Sequence, residues 1–188
     1  MICNHQLNDW IHALYLTHLL SAVSPDAVLA GGAARDTLLG KPIKDYDIFI
    51  PIHRGGVQRV LAHIGCIVGR ELSGELITPQ GTEYKYGRPE VLAVLKIANL
   101  DVVLYDELVG RSPDQIVRTF DCGLSQAWFD KVGRVRTTDT FDYCRDTRRN
   151  YFRELNSQRV SRLARKFPEW EMVLFNSALH PAIADPSK

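Results

Sequence analysis

Two aspartates one residue apart, Asp45 and Asp47, follow a glycine pair, Gly31 and Gly32, in the run A-G-G-A-A-R-D-T-L-L-G-K-P-I-K-D-Y-D-I-F at residues 30–49. Residues 27–30 read as a strand that ends at the glycines, residues 33–39 as a short helix, and residues 45–50 as a second strand. Side chains at i and i+2 of a strand share a face, so Asp45 and Asp47 form a carboxylate pair. Two like charges held this close are unfavourable unless a cation accompanies them. The glycines let the backbone approach an anion, and the helix that starts beside them offers N–H groups to phosphate. The unit therefore sets a phosphate cradle next to a pair of carboxylates suited to a divalent ion.

Gly31, Gly32, Arg35, Asp36, Leu38, Leu39, Gly40, Asp45 and Asp47, in this order and spacing, resemble the signature of the polymerase-beta-like nucleotidyltransferase superfamily. Within it they are most similar to the catalytic head of bacterial-type CCA-adding enzymes and poly(A) polymerases. Ala34 departs from the pattern, which has a larger aliphatic residue there. The resemblance covers about residues 25–150 and implies an α/β (α+β) fold, a small mixed sheet flanked by helices. It also implies transfer of a nucleoside monophosphate from an NTP to a hydroxyl, with Mg2+ or Mn2+ held by Asp45 and Asp47. Arg35 and Asp36 would help to organise the nucleotide site.

A third carboxylate is expected on a hairpin. Residues 91–97 and 100–105 read as paired strands turning at Ala98 and Asn99. Asp101 lies between Leu100 and Val102 and shares a face with Val103 and Tyr105, whereas Asp106 points to the other face. Read from the residues alone, Asp101 either caps the turn at Asn99 or joins the Asp45/Asp47 strand. In the resembled superfamily a strand of hydrophobic–acid–hydrophobic form completes the metal site, which favours Asp101. Two or three carboxylates with phosphate oxygens satisfy magnesium.

Two further blocks carry looser resemblance. V-R-T-F-D-C-G-L-S-Q-A-W-F-D at residues 117–130 is similar to the segment that contacts sugar and triphosphate, which points to Arg118 and Asp121 and leaves Phe120 to the core. Cys122, Gly123 and Ser125 stand near where that segment has threonine and asparagine. Further on, Asp146 and Arg149 match the last two positions of the base-reading Glu-Asp-x-x-Arg helix. Arg145 replaces its glutamate, so the preferred base stays open.

The remaining chain divides into an expected head at residues 1–144 and a basic helical extension at 145–188. An amphipathic helix is expected at 6–23 and another at 58–64, ended by Gly65 and followed by a strand from Cys66. Residues 72–89 are rich in glycine and proline and read as loop. Between residues 145 and 166 there are eight basic residues against two acidic ones. As a helix this tract stacks Arg145, Arg149 and Arg153 on one face, able to follow an RNA backbone, while Leu155, Val160 and Leu163 cover the head. A last short helix is expected at 170–179. The formal net charge of +1 excludes a polycation, so nucleic-acid contact requires a local patch. No apolar run approaches the ~20 residues that span a bilayer, and the N-terminus lacks a signal-peptide pattern. The scattered cysteines read as reduced thiols of a cytoplasmic protein, without a zinc site or disulfide framework. The expected partners are an NTP and an RNA acceptor, tRNA foremost. A protein or small-molecule hydroxyl is the alternative acceptor, and a non-catalytic binding module the third reading.

Overall fold

The computed structural model describes residues 4–68, 76–77, 89–97, 99–153 and 157–174. Helix α1 (Asn4–Leu20) leads into strand β1 (Val28–Ala30), helix α2 (Gly32–Leu38) and strand β2 (Tyr46–Ile52). A short 3-10 turn (Arg54–Gly56) precedes helix α3 (Val57–Val68) and strand β3 (Leu76–Ile77). The hairpin β4 (Val91–Ile97) and β5 (Leu100–Asp106) follows, then helix α4 (Pro113–Arg118) and a 3-10 turn (Gly123–Ser125). Strands β6 (Ala127–Phe129) and β7 (Val135–Thr137), helix α5 (Asp139–Thr147), strand β8 (Arg149–Phe152), helix α6 (Ser157–Lys166) and strand β9 (Glu171–Leu174) complete the order.

Seven strands form a mixed sheet in the order β3-β4-β5-β2-β1-β6-β7. The β2–β5 pair is parallel, and its neighbours on either side are antiparallel. Side chains alternate across this sheet. Leu29, Ile48, Ile50, Val102, Leu104 and Leu95 enter the larger core, which also holds Ala13, Leu16 and Leu20 of α1 and Val60 and Ile64 of α3. The opposite face supplies Val28, Phe49, Val94, Val103 and Tyr105 to a smaller core, closed by Ile116 and Val117 of α4 and by Phe120. Phe120 stacks against Phe49 at 5.0 Å, in keeping with its expected core role.

Helix α1 spans 4–20 rather than 6–23, and the hairpin of β4 and β5 forms where expected. Three expected elements differ. Helix α3 runs through Gly65 to Val68, and no strand starts at Cys66. The apolar spacing continues as Val57, Val60, Leu61, Ile64 and Ile67 against the core, and this burial outweighs the ~1 kcal/mol helix penalty of one glycine. The tract from 145 is not one helix. It ends at Thr147, capped by Arg148 in the left-handed region (φ 56°), and β8 follows. Arg149 and Arg153 therefore do not stack with Arg145 on a helix face. Residues 171–174 form β9, parallel to β8, instead of part of a helix. Most of the 72–89 segment lies outside the described residues, and within it Leu76–Ile77 form strand β3 on β4.

Tyr151, Phe152, Leu163, Phe167 and Trp170 belong to the same cluster as the sheet's larger core. Phe167, fully buried, is expected to destabilise the protein by about 3–5 kcal/mol when changed to alanine. Urea unfolding should show this within a single transition. A loss below about 1 kcal/mol would contradict the shared core.

Candidate functional site

Register across the sheet assembles the site. Asp47 on β2 lies opposite Asp101 on β5, and Asp101 lies opposite Lys96 on β4. On the other side Asp47 faces Ala30, the last residue of β1. Directly paired residues project to the same face, so Lys96, Asp101, Asp47 and Ala30 form one row across four strands. Cα partners in neighbouring strands sit about 4.8 Å apart, which brings the two carboxylates close. Asp45 lies one residue before β2, half-buried, with Lys44 Nζ 3.4 Å from its Oδ2.

The glycine pair closes the row from below. Gly31 takes φ +82°, and a Cβ built there would meet Phe120 at 3.5 Å and Asp47 Oδ2 at 3.9 Å. Those distances are ordinary contacts, so it is the positive φ that calls for glycine here. Its N–H donates to Ala127 O at 2.8 Å, which ties the start of α2 to β6.

Lys96 is the residue that sequence reading missed. Its Nζ donates to Asp101 Oδ1 at 2.9 Å. The hydrogen bond to Asp101 raises its pKa and, against burial, the charges of Asp101, Asp45 and Asp47 raise it further. All three predicted carboxylates thus act on one ammonium. Only the pairing register reveals this, because Lys96 is an ordinary lysine near a strand end in the sequence. Asp106, the rival to Asp101, sits at the far end of β5, roughly 16 Å along the strand. It accepts from Leu108 N at 3.0 Å and Arg54 Nε at 2.6 Å, and these bonds, the backbone one first, hold its pKa below the usual carboxylate range.

Arg35 and Asp36 lie behind the glycines in a buried polar knot. Arg35 Nε donates to Asp36 Oδ1 at 2.9 Å, and its guanidinium lies over the Phe167 ring at 5.2 Å. Lys166 Nζ donates to Asp36 Oδ2 at 2.6 Å and to Pro42 O at 3.0 Å. In this arrangement the pair fastens α2 to α6. Arg118 bonds Asp114 and Asp139, each at 2.8 Å, and Asp121 pairs with Arg159 at 3.1 Å. Asp146 is bonded by Arg145 on α5, whereas Arg149 bonds Glu171 between β8 and β9. The shared helix face expected for Asp146 and Arg149 is absent. Asn150, also missed, is buried and accepts from Leu124 N and Cys122 Sγ at 3.2 Å each, fixing the 122–124 segment. A Cβ on Gly123 would fall 2.5 Å from Cys144 Sγ, so no side chain fits where the resembled segment carries larger residues.

Among the described residues no group of three or more His, Cys, Asp or Glu side chains could hold a metal ion. The carboxylate pair of Asp47 and Asp101 nevertheless fits a divalent ion that keeps waters or takes phosphate oxygens. The placement of the Lys96 ammonium marks the position as one that attracts a cation.

The fold has counterparts among solved structures. A tRNA-processing enzyme in an apo form superposes with a TM-score of 0.56 at 15% identity, over 92% of this chain and 45% of that one. The Thermotoga maritima CCA-adding enzyme complexed with tRNA gives 0.57 at 13% identity, over 95% and 41%. A CCA-adding enzyme complexed with ATP gives 0.56 at 14%, over 94% and 41%. This chain shares its fold with the CCA-adding enzymes. It spans less than half the length of these structures. No family model matches the chain, and no curated protein matches it in sequence. The mixed α+β architecture expected from the signature is thus present. Among the described residues no helix is long and apolar enough to cross a membrane.

Asp130, the acid that closes the 117–130 block, builds the turn between β6 and β7. It accepts from the N–H groups of Val132 and Arg134 and from the guanidinium groups of Arg134 and Arg136, at 2.9 to 3.2 Å. Burial acts to raise its pKa, but these bonds prevail and hold it at about 2. A depressed carboxyl stabilises the fold above its unfolded pKa and loses that contribution as pH falls through the folded value. Wild-type and Asp130→Asn melting temperatures should differ at neutral pH and converge between about pH 4 and about pH 2. A constant gap across that window would contradict this role.

Proposed function

We propose that this chain is a divalent-metal-dependent nucleotidyltransferase that moves a nucleoside monophosphate from an NTP to the 3′ hydroxyl of an RNA, tRNA foremost, releasing pyrophosphate. The observation that carries the reading is the direct pairing of Asp47 with Asp101 beside the Gly31 turn. In this reading Asp47 and Asp101 would hold the metal, and Asp45, one residue before β2, adds negative charge to the site without completing a three-carboxylate set. Bound there, Mg2+ or Mn2+ supplies charge neutralisation for the leaving pyrophosphate and lowers the pKa of the attacking hydroxyl. Gly31 and Gly32 receive the triphosphate at close backbone approach. Arg35 and Asp36 support the nucleotide from beneath by holding α2 in place. Arg118 and Asp121 serve the sugar and triphosphate side. Asp146 and Arg149 remain the candidates for base contact, approached from a helix end and a strand start.

The RNA reading draws on two supports. Solved structures of the same fold include a CCA-adding enzyme complexed with tRNA. The exposed side of α6 also carries Arg162 and Arg165, and Arg145, Arg149, Arg159 and Lys166 of the basic tract pair with acids of the protein. In this reading the protein works in the cytoplasm, where NTPs and tRNA are available.

The test is incubation with Mg2+, each α-32P-labelled NTP and total tRNA, using wild type and Asp47→Asn. Label should enter RNA with wild type and fall by roughly 10²–10³-fold or more in the variant. Equal labelling by both would remove Asp47 from the chemistry. Absence of RNA labelling, with transfer to protein or a small hydroxyl compound, would replace the acceptor while keeping the reaction.

A further inference from the structure

The carboxylate row carries its own cation. Lys96 is the cross-strand partner of Asp101, and Asp101 is the cross-strand partner of Asp47, so the ammonium is built into the row by strand register. The bond is short, 2.9 Å, yet the two partners differ in exposure: the Lys96 side chain is 56% exposed and that of Asp101 only 17%. The carboxylate is therefore fixed in the sheet, while the lysine reaches it from the solvent side on a stem with several rotatable bonds. An exposed ion pair of this kind is weak and open to exchange.

A divalent ion at Asp47 and Asp101 would place like charge beside this ammonium. Two cations cannot share the Asp101 oxygen without mutual repulsion. We infer that Lys96 is the resident counter-cation of the site, and that a divalent ion enters by displacing its ammonium from Asp101. Lys96 stays protonated throughout; what changes is its partner. The exchange gives the lysine two roles in sequence. Before loading, it offsets the repulsion between the carboxylates and keeps the metal-free fold compact at the open end of β2 and β5. After loading, the freed ammonium stands at the β4 end of the row, across β5 and β2 from the Gly31 turn, where a polyanion lying along the row is its natural new partner. Metal and triphosphate binding would then reinforce one another, because each relieves the charge that the other leaves unbalanced. A nucleotide-free protein would bind divalent ions weakly, with Lys96 as the cause.

This inference rests on the metal-dependent reading of Asp47 and Asp101. It is tested by titrating nucleotide-free, full-length protein with Mn2+ and following free Mn2+ by electron paramagnetic resonance at fixed pH and ionic strength. Lys96→Met should bind Mn2+ about tenfold more tightly than wild type, since a positive charge next to the ion is gone. Lys96→Gln should move the same way, and Lys96→Arg should stay near wild type. Far-UV circular dichroism verifies that each variant is folded. Unchanged or weaker Mn2+ binding by folded Lys96→Met and Lys96→Gln, with measurable wild-type binding, would overturn the exchange and leave the metal site standing. Absence of binding by every protein, wild type included, would overturn both.

Discussion

The parallel pairing of β2 with β5 is the constraint on which the rest of the site depends. It sets Asp47 against Asp101 at the start of two buried strands, where two carboxylates repel and their desolvation is unfavourable. The chain offsets this in two ways visible in the structure. The residues that follow each aspartate alternate into two apolar cores that clamp the strands from both sides. On the open side, Lys96 from the next strand supplies positive charge. Strand pairing thus creates the electrostatic problem, and the adjacent register supplies its answer. Gly31 borders Asp47 and Phe120 on the remaining side, in a backbone conformation (φ +82°) that glycine adopts without strain.

A second dependence runs through the C-terminal part of the described chain. Asp36 follows the glycine turn by a few residues, is almost fully buried, and is held by Arg35 and by Lys166 from α6. Phe167 lies under the Arg35 guanidinium. A buried carboxylate needs such partners, so the position of α2, and with it the glycine turn, is set partly by residues more than a hundred positions away. The Arg-Asp dipeptide of the signature is here a structural fastener for the glycine turn. The division at residue 144 separates charge compositions, while the apolar core passes across it.

The parts of this arrangement legible in the sequence were those governed by local period and turn chemistry. The glycine turn, the alternation that put Asp101 and Asp106 on opposite faces, and the β4–β5 hairpin all follow from neighbours within a few residues. What escaped was set by distant pairing. Lys96 became part of the site only through two successive registers. The 149–152 segment reads as helix because Arg145, Arg149 and Arg153 recur every four residues, yet buried Asn150, Tyr151 and Phe152 are drawn into a strand beside β9. Gly65 reads as a stop, but the apolar residues on either side keep α3 on the core. In each case tertiary burial outweighed a local preference of about 1 kcal/mol or less.

Anomalous diffraction from crystals soaked with Mn2+ and a non-hydrolysable NTP analogue addresses the carboxylate row most directly. The expected result is a manganese peak at the Asp47 and Asp101 carboxylates, the Lys96 ammonium withdrawn from Asp101, and the triphosphate near Gly31 and Gly32. Manganese bound elsewhere, with the Lys96–Asp101 contact intact and nucleotide away from the glycine turn, would contradict it.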